Sequence, residues 1–143
     1  MRDYGKQGRA NKQAGAKFEL EVRRYLEKKG WLVSKWRNNV DLQCEEIIAA
    51  RQFYIPGRGA GLGTGFPDFV AMKMLGECPY YFEVTFIEAK SNGYLTKEEK
   101  LKLKIMIDMG LNVEIAYKDE TEEDGIRLRK FEYTEGVEKI PRG

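Results

Sequence analysis

The 143-residue sequence contains no histidine. Without an imidazole group, the chain cannot form a Ser-His or Cys-His nucleophile or a histidine-ligated zinc site. Any catalysis by this chain therefore falls to carboxylates, lysines and a hard metal ion.

Cysteine and long apolar runs are also scarce. Cys44 and Cys78 are too few and too poorly spaced for a zinc site or a disulfide framework, so we expect two ordinary thiols. No apolar run approaches the roughly 18 residues of a membrane span. The polar, glycine-containing N-terminus lacks the apolar stretch of a signal peptide. We therefore expect an intracellular protein with no membrane partner, encoded by a cell, a plasmid or a virus.

The charge is distributed unevenly along the chain. Residues 1–37 hold 11 Lys and Arg against 4 Asp and Glu, a net charge of +7. Residues 38–143 hold 14 against 19, a net charge of −5. Such asymmetry suggests a polyanionic partner, although a lysine-rich helix face can also be merely solvated. We expect contacts with backbone phosphates from seven basic side chains, Arg2, Lys6, Arg9, Lys12, Lys17, Arg58 and Lys97.

The chain length and composition predict one globular domain over residues 14–143, preceded by a flexible basic arm over residues 1–13. From Ala14 onward, the apolar residues are spaced as in an amphipathic helix, and Gly30 ends this predicted helix. Glu19 lies at one edge of its apolar stripe and Glu21 at the other. An edge carboxylate is usually a surface charge, but either edge is also the right place for a metal ligand, so Glu19 and Glu21 are both candidates.

Two short motifs hold the strongest chemical signal. Asp68 follows Pro67 and opens an apolar run, while Glu88 and Lys90 lie two residues apart and so share one face of a predicted strand. If the two runs pair as a hairpin, Asp68 and Glu88 meet at one rim of the sheet. Two carboxylates beside a lysine form a hard oxygen site for Mg²⁺ or Mn²⁺. Either motif alone is more often a turn or a solvated charge pair.

Together these motifs resemble a known superfamily. Pro67-Asp68, 19 intervening residues, then Glu88-Ala89-Lys90 is similar to the signature of the PD-(D/E)XK nucleases. The helix and turn over residues 15–31 are similar to the first helix of archaeal-type Holliday junction resolvases, whose active-site acid falls on Glu19. Residues 65–69 and 88–99 also resemble VRR-NUC domains, another branch of that superfamily.

The resemblance implies a restriction-endonuclease-like α/β fold with an αβββαβ core and a mixed sheet flanked by helices. It implies a Mg²⁺-dependent (or Mn²⁺-dependent) endonuclease, most like a resolvase that cuts four-way DNA junctions as a homodimer. Asp68, Glu88 and the Ala89 carbonyl would ligate the metal, and Glu19 would bind a second metal ion or a bound water. Lys90 would orient the attacking water, with its pKa lowered beside the metal ions. The alternatives are a flap or branched-DNA nuclease and a non-catalytic DNA-binding module on the same fold.

The remaining segments are predicted from local patterns. A capping box at Thr96 and Glu99 begins a helix that ends before Gly110. Residues 37–66 form a glycine-rich insertion, in which residues 40–53 suit a helix followed by a flexible loop. No Gly-Lys-Ser/Thr follows these glycines, so we expect no nucleotide cofactor. The predicted strands span residues 31–36, 69–73, 80–90, 112–117 and 126–133.

Overall fold

The computed structural model describes residues 4–50, 52–57, 59–62, 65–77 and 79–133. In these ranges the protein is a mixed α/β structure, and neither helix is long and apolar enough to cross a membrane. The helices are α1 (Tyr4–Lys28) and α2 (Lys97–Asp108). The strands are β1 (Leu32–Lys35), β2 (Asn39–Asp41), β3 (Glu46–Ile48), β4 (Gln52–Ile55), β5 (Gly59–Leu62), β6 (Phe69–Glu77), β7 (Tyr80–Ala89), β8 (Asn112–Lys118) and β9 (Ile126–Lys130).

The central sheet has five strands in the order β1-β6-β7-β8-β9. Strands β7 and β8 are parallel, and the other three neighbouring pairs are antiparallel. A parallel pair needs a long crossover connection, which α2 provides between β7 and β8. The predicted mixed sheet with helices is thus confirmed at the level of fold class.

One helix packs on each face of this sheet. Strand residues alternate between the two faces, so neighbours such as Ile87 and Phe86 enter different cores. On one face, α1 buries residues against Ile87, in the cluster Phe18, Val22, Leu26, Phe69, Ala71, Ala116 and Ile126. On the other face, α2 buries residues against Phe86, in the cluster Leu103, Met106, Val113, Ile115, Phe131, Val40 and Leu95.

Helix α2 begins and ends as predicted. The Glu99 backbone N–H donates to Thr96 Oγ1 at 3.1 Å, and the Thr96 backbone N–H donates to Glu99 Oε1 at 2.9 Å, which completes the capping box. Gly110, with φ of +89°, follows the C-cap residue Met109 and provides the left-handed conformation that commonly ends helices.

Helix α1 begins at Tyr4, well before the predicted start at Ala14. The helix start predicted at Ala14 is therefore wrong, and residues 4–13 are also helical. This segment is rich in Lys, Arg, Gln and Ala, which are good helix formers, and they outweigh the two glycines at positions 5 and 8.

The helix predicted within residues 40–53 is also wrong. Strand β2 pairs with β3, and β4 pairs with β5, so the insertion consists of two antiparallel hairpins. Val40, Ile47 and Ile48 are β-branched and favour extended backbone. Glu45 takes a positive φ of 54° in the first turn, which reverses the chain within four residues of β2.

Candidate active site

The β6–β7 hairpin brings Asp68 and Glu88 together. Phe69 pairs with Ile87, so Asp68 lies immediately before one strand residue and Glu88 immediately after its partner. The Ala89 backbone N–H donates to Asp68 Oδ2 at 2.8 Å. The two acidic residues therefore meet at one rim of the sheet, as the hairpin hypothesis requires.

The backbone before Asp68 is held against the end of β1. The Trp36 backbone N–H donates to the Asp68 carbonyl at 3.0 Å, and the Phe66 backbone N–H donates to the Asn38 carbonyl at 2.9 Å. At Gly65 a Cβ atom would clash with the Trp36 carbonyl oxygen, so this close approach requires glycine. These contacts fix the direction in which the Asp68 side chain projects from the backbone.

Helix α1 contributes Glu19 to the same place. Phe18 is buried in the core, and the half-buried Glu19 next to it lies within hydrogen-bonding reach of the Asp68 side chain. Glu21 instead lines a separate cavity beside Arg24. The structure therefore brings Glu19, and not Glu21, to the candidate site.

Lys90 follows the last residue of β7 and forms an ion pair with α2. Its Nζ atom lies 2.6 Å from Glu99 Oε2, and both side chains are largely buried. The sequence predicted Glu99 only as part of the capping box. Glu99 is thus a site residue that sequence reasoning missed. The capping box indicated only that the position of Glu99 is fixed.

These groups line one cavity of about 500 Å³, a volume in the range of small-ligand sites. Besides Asp68, Glu88 and Glu19, its charged lining residues are Lys35, Lys90 and Glu99. Lys35 was not predicted as a site residue, and its positive charge opposes the proton uptake of Glu19. The remaining lining residues are Gly15, Phe18, Gly65, Phe66, Ala89, Ser91, Asn92 and Tyr94.

Glu88 is a deeply buried acid, with 3% of its surface exposed. Burial raises its pKa well above the usual range, and the hydrogen bond and negative charge of Asp68 raise it further. Burial and Asp68 also raise the pKa of Glu19, with partial opposition from Lys35 and Lys90. The protein groups alone thus favour proton uptake at this cluster of acids.

The protein groups around Lys90 raise its pKa. Burial acts to lower it, but the hydrogen bond and charge of Glu99, with the charges of Glu88 and Asp68, raise it overall. Lys90 in turn lowers the pKa of Glu99 in spite of the burial of that acid. Among the protein groups alone, Lys90 is therefore a stable ammonium ion. The lowered pKa that we expect beside bound metal ions stays a prediction.

The chemistry of the donor groups fits a hard divalent cation. Within the described ranges, no group of three or more His, Cys, Asp and Glu side chains is already arranged to hold a metal ion. Asp68 nevertheless interacts with both Glu19 and Glu88, and carboxylate and carbonyl oxygens are the donors that Mg²⁺ prefers. Repulsion among these acids can be relieved by protonation or by a bound cation.

The predicted phosphate-contacting residues are only partly described. Arg9, Lys12 and Lys17 are exposed on α1, and Lys97 is exposed at the start of α2. Lys12 precedes Glu19 by seven residues, or about two helical turns, and so lies on the same face of the helix. Lys17 does not line the cavity. Arg2, Arg58 and the side chain of Lys6 lie outside the described part of the protein.

Comparisons with known protein families, with curated proteins and with solved structures give no match. A functional assignment therefore depends on the geometry of this cavity and on the motifs that form it.

Proposed function

We propose that this protein is a metal-dependent DNA endonuclease with a PD-(D/E)XK core, most like the archaeal-type Holliday junction resolvases. The observation that carries the proposal is the convergence of Glu19, Asp68 and Glu88 on one cavity beside Lys90. The three acids come from α1, the start of β6 and the end of β7. A purely structural role does not explain why acids from distant parts of the chain share a site that raises the pKa of both Glu19 and Glu88.

The order of elements supports the same proposal. Along the chain, α1, β1, β6, β7, α2 and β8 follow the helix-strand-strand-strand-helix-strand order of the core that the resemblance implies. The two hairpins of β2–β5 lie between β1 and β6, as an insertion ahead of Asp68. A fold can host unrelated functions, so this agreement adds to the evidence from the site and does not replace it.

Asp68, Glu88 and the Ala89 carbonyl would hold a Mg²⁺ or Mn²⁺ ion, and Glu19 would hold a second ion or a bound water. Such an ion supplies an activated water and neutralises phosphate charge during phosphodiester hydrolysis. Asp68 Oδ2 already accepts a hydrogen bond from the Ala89 backbone N–H, which fixes the orientation of this carboxylate.

Lys90 is suited to orient the attacking water and to stabilise negative charge on the phosphate. Its ammonium group has three donors, of which the ion pair with Glu99 uses one. Because Glu99 also caps α2, Lys90 is held in place before the substrate arrives. Prior positioning of a charged donor contributes to catalysis because no reorganisation is needed during the reaction.

The surface around the cavity suits a DNA backbone. Exposed Lys12 lies on the face of α1 that holds Glu19, exposed Arg9 lies nearly one turn further toward the N-terminus, and exposed Lys97 begins α2 beyond Lys90. Neutralisation of phosphates by such side chains supplies most sequence-independent affinity for DNA.

A second candidate is a VRR-NUC-like nuclease that cuts flaps or other branched DNA. Such domains usually have a glutamine near the start of this helix, where the present chain has Glu98 and Glu99. The direct contact of Glu99 with Lys90 favours this candidate, because it makes the first turn of α2 part of the site. A non-catalytic DNA-binding module is disfavoured, since buried acids would only repel a polyanion.

The test is cleavage of a synthetic four-way junction beside flap, linear duplex and single-stranded substrates, with and without Mg²⁺. We expect Mg²⁺-dependent cleavage that is fastest on the junction. A monomeric protein that cuts flaps at least as fast as junctions would favour the second candidate. Failure to cut any of the four substrates with either Mg²⁺ or Mn²⁺ would overturn the nuclease proposal.

A further inference from the structure

The loop between β7 and α2 places Tyr94 at the rim of the candidate active site. Tyr94 is 66% exposed, and it lines the same cavity as Asp68 and Glu88. Within the described ranges, the other aromatic residues that line this cavity are Phe18, which is buried, and Phe66, which is half-buried. Tyr94 is therefore the aromatic side chain of the cavity that a ligand can reach most easily.

The backbone that carries Tyr94 is held by hydrogen bonds. The Gly93 backbone N–H donates to the Lys90 carbonyl at 2.8 Å, and buried Arg129 donates from Nη2 to the Gly93 carbonyl at 2.8 Å. The Tyr94 backbone N–H donates to Asn92 Oδ1 at 3.0 Å. A tyrosine side chain has only two torsion angles, so little conformational freedom is lost when a flat ligand packs against this ring.

Exposure alone does not distinguish Tyr94, because single exposed apolar residues are common on protein surfaces. Tyr54 and Tyr80 are 72% and 73% exposed, but neither lines the cavity. Tyr80 lies eight residues before Glu88 on β7, which corresponds to about 26 Å at the usual rise of a strand. The feature that sets Tyr94 apart is its position beside the site acids.

We propose that Tyr94 is a stacking platform for an unpaired DNA base next to the phosphodiester bond held at this cavity. This subsite rests on the proposed function, because the nuclease site defines the phosphate that the base adjoins. The turn from Lys90 to Gly93 keeps Tyr94 close to the lysine, so the stacked base and the phosphate belong to the same or neighbouring nucleotides. Stacking on an aromatic ring tolerates any base sequence, since every base has a π-face.

The charges of the cavity favour a base over a second phosphate at Tyr94. The charged lining residues are four acids and two lysines, Glu19, Asp68, Glu88, Glu99, Lys35 and Lys90. Under the proposed function, a metal ion and Lys90 accommodate one phosphate. A neutral base adds no further negative charge beside the acids, and the tyrosine ring offers no positive charge to a second phosphate.

The stacking subsite defines a class of substrate. Inside a duplex, both faces of each base are covered by neighbouring base pairs, and a protein reaches a base only where it is extruded or unpaired. Tyr94 can therefore stack on a base at a flap, at a gap or at an opened branch point. The substrate class is DNA with an unpaired base beside the cleaved bond.

The experiment measures binding in the absence of cleavage. Fluorescence anisotropy compares duplexes that carry a single-stranded flap of either polarity with a fully paired linear duplex, with Ca²⁺ in place of Mg²⁺ as the hard cation. Gels confirm that the DNA stays intact. We expect Tyr94→Ala to weaken flap binding by about 10-fold or more and to change duplex binding by less than about 2-fold, because only the flap offers an unpaired base.

Two further variants serve as controls. Tyr94→Phe keeps the ring and should bind the flap as the wild type does. Tyr80→Ala removes a similarly exposed ring far from the cavity and should leave both affinities unchanged. Circular dichroism of each variant checks that the fold is retained.

A crosslink locates the base directly. When 5-iodouracil replaces the unpaired base nearest the branch point, ultraviolet light should crosslink it to Tyr94 in at least one flap polarity, as mass spectrometry of the peptides detects. Equal flap affinity of folded Tyr94→Ala, an equal loss on flap and duplex, or flap crosslinks that omit Tyr94 would overturn the stacking subsite and leave the nuclease proposal standing. A wild type that neither binds nor cleaves any of these DNAs would overturn both.

Discussion

The Lys90 Nζ atom lies 2.6 Å from Glu99 Oε2, while the other oxygen of the same carboxylate accepts a hydrogen bond from the Thr96 backbone N–H at 2.9 Å. One glutamate therefore caps α2 and holds the site lysine at the end of β7. The N-terminus of the helix and the chemistry of the cavity are thus linked through a single side chain.

The substitution Glu99→Gln separates these two roles. Glutamine at this position of a capping box still accepts the backbone hydrogen bond, so the helix should remain intact. Loss of the negative charge should reduce kcat by about 10-fold with little change in KM, because Lys90 loses its fixed orientation. It should also shift the alkaline limb of the pH–rate profile to lower pH, since Glu99 raises the pKa of Lys90.

The control for this prediction is Glu98→Gln, a neighbouring change at an exposed side chain that pairs only loosely with Lys102 at 3.6 Å. It should leave both kcat and the pH profile unchanged. If Glu99→Gln has the wild-type pH profile and rate, Glu99 has only a capping role.

Glu19 and Glu21 provide a matched pair on one helix. The substitutions Glu19→Gln and Glu21→Gln each remove one negative charge. Only Glu19 interacts with Asp68 in the cavity. We expect Glu19→Gln to reduce kcat by roughly 100-fold and Glu21→Gln to change it by less than about 2-fold. Single-turnover rates at saturating Mg²⁺ check this, and the reverse order would show that the wrong face of α1 has been assigned to the site.

Glu88 should reduce the stability of the folded protein at neutral pH. Its pKa is raised in the folded state, so its contribution to stability is complete below the pKa of the unfolded chain and is lost as pH rises through the folded pKa. Glu88→Gln does not titrate. It should therefore raise Tm by roughly 3 °C or more at pH 7–8, and this gain should shrink as pH falls toward about 4.5.

Thermal denaturation in the absence of divalent cations measures that difference, with Glu21→Gln as the surface control. A constant Tm difference across the pH range would mean that packing, and not the charge of Glu88, is responsible.

The site was more predictable from sequence than the surrounding insertion. Asp68, Glu88 and Lys90 lie on two adjoining apolar runs, and the alternation of a hairpin fixes their relative positions. The apolar stripe of α1 placed both Glu19 and Glu21 at its edges, and only the resemblance to the resolvase helix favoured Glu19. The contact of Glu99 with Lys90 depends on where α2 crosses the sheet, which is a tertiary relationship that no local pattern records.

The insertion was mispredicted because its apolar residues are few and their spacing suits two structures. Leu42 and Ala49, seven residues apart, fit a helical period, whereas Val40, Ile47 and Ile48 favour strands. The turn at Glu45 decides between them, and glutamate with a positive φ is not signalled by sequence.

The salt dependence of DNA binding tests the role of α1. Arg9→Ala and Lys12→Ala should each reduce the slope of log affinity against log salt by about 0.9 if each residue contacts one phosphate of a duplex. Lys28→Ala is the control, because Lys28 lies at the far end of the same helix and pairs with Asp124. Fluorescence anisotropy between low and moderate salt measures the slopes, and equal slopes for all three variants and the wild type would exclude α1 from the interface.

The most direct test of the central claim is single-turnover cleavage of a labelled four-way junction by the wild type and by Asp68→Asn, with Mg²⁺ or with a chelator. Asparagine preserves the shape of the side chain and an acceptor for the Ala89 backbone N–H, so the fold and junction binding should persist. We predict cleavage only by the wild type with Mg²⁺. Equal cleavage by folded Asp68→Asn, or by the wild type in the chelator, would contradict a metal-dependent nuclease site at this cavity.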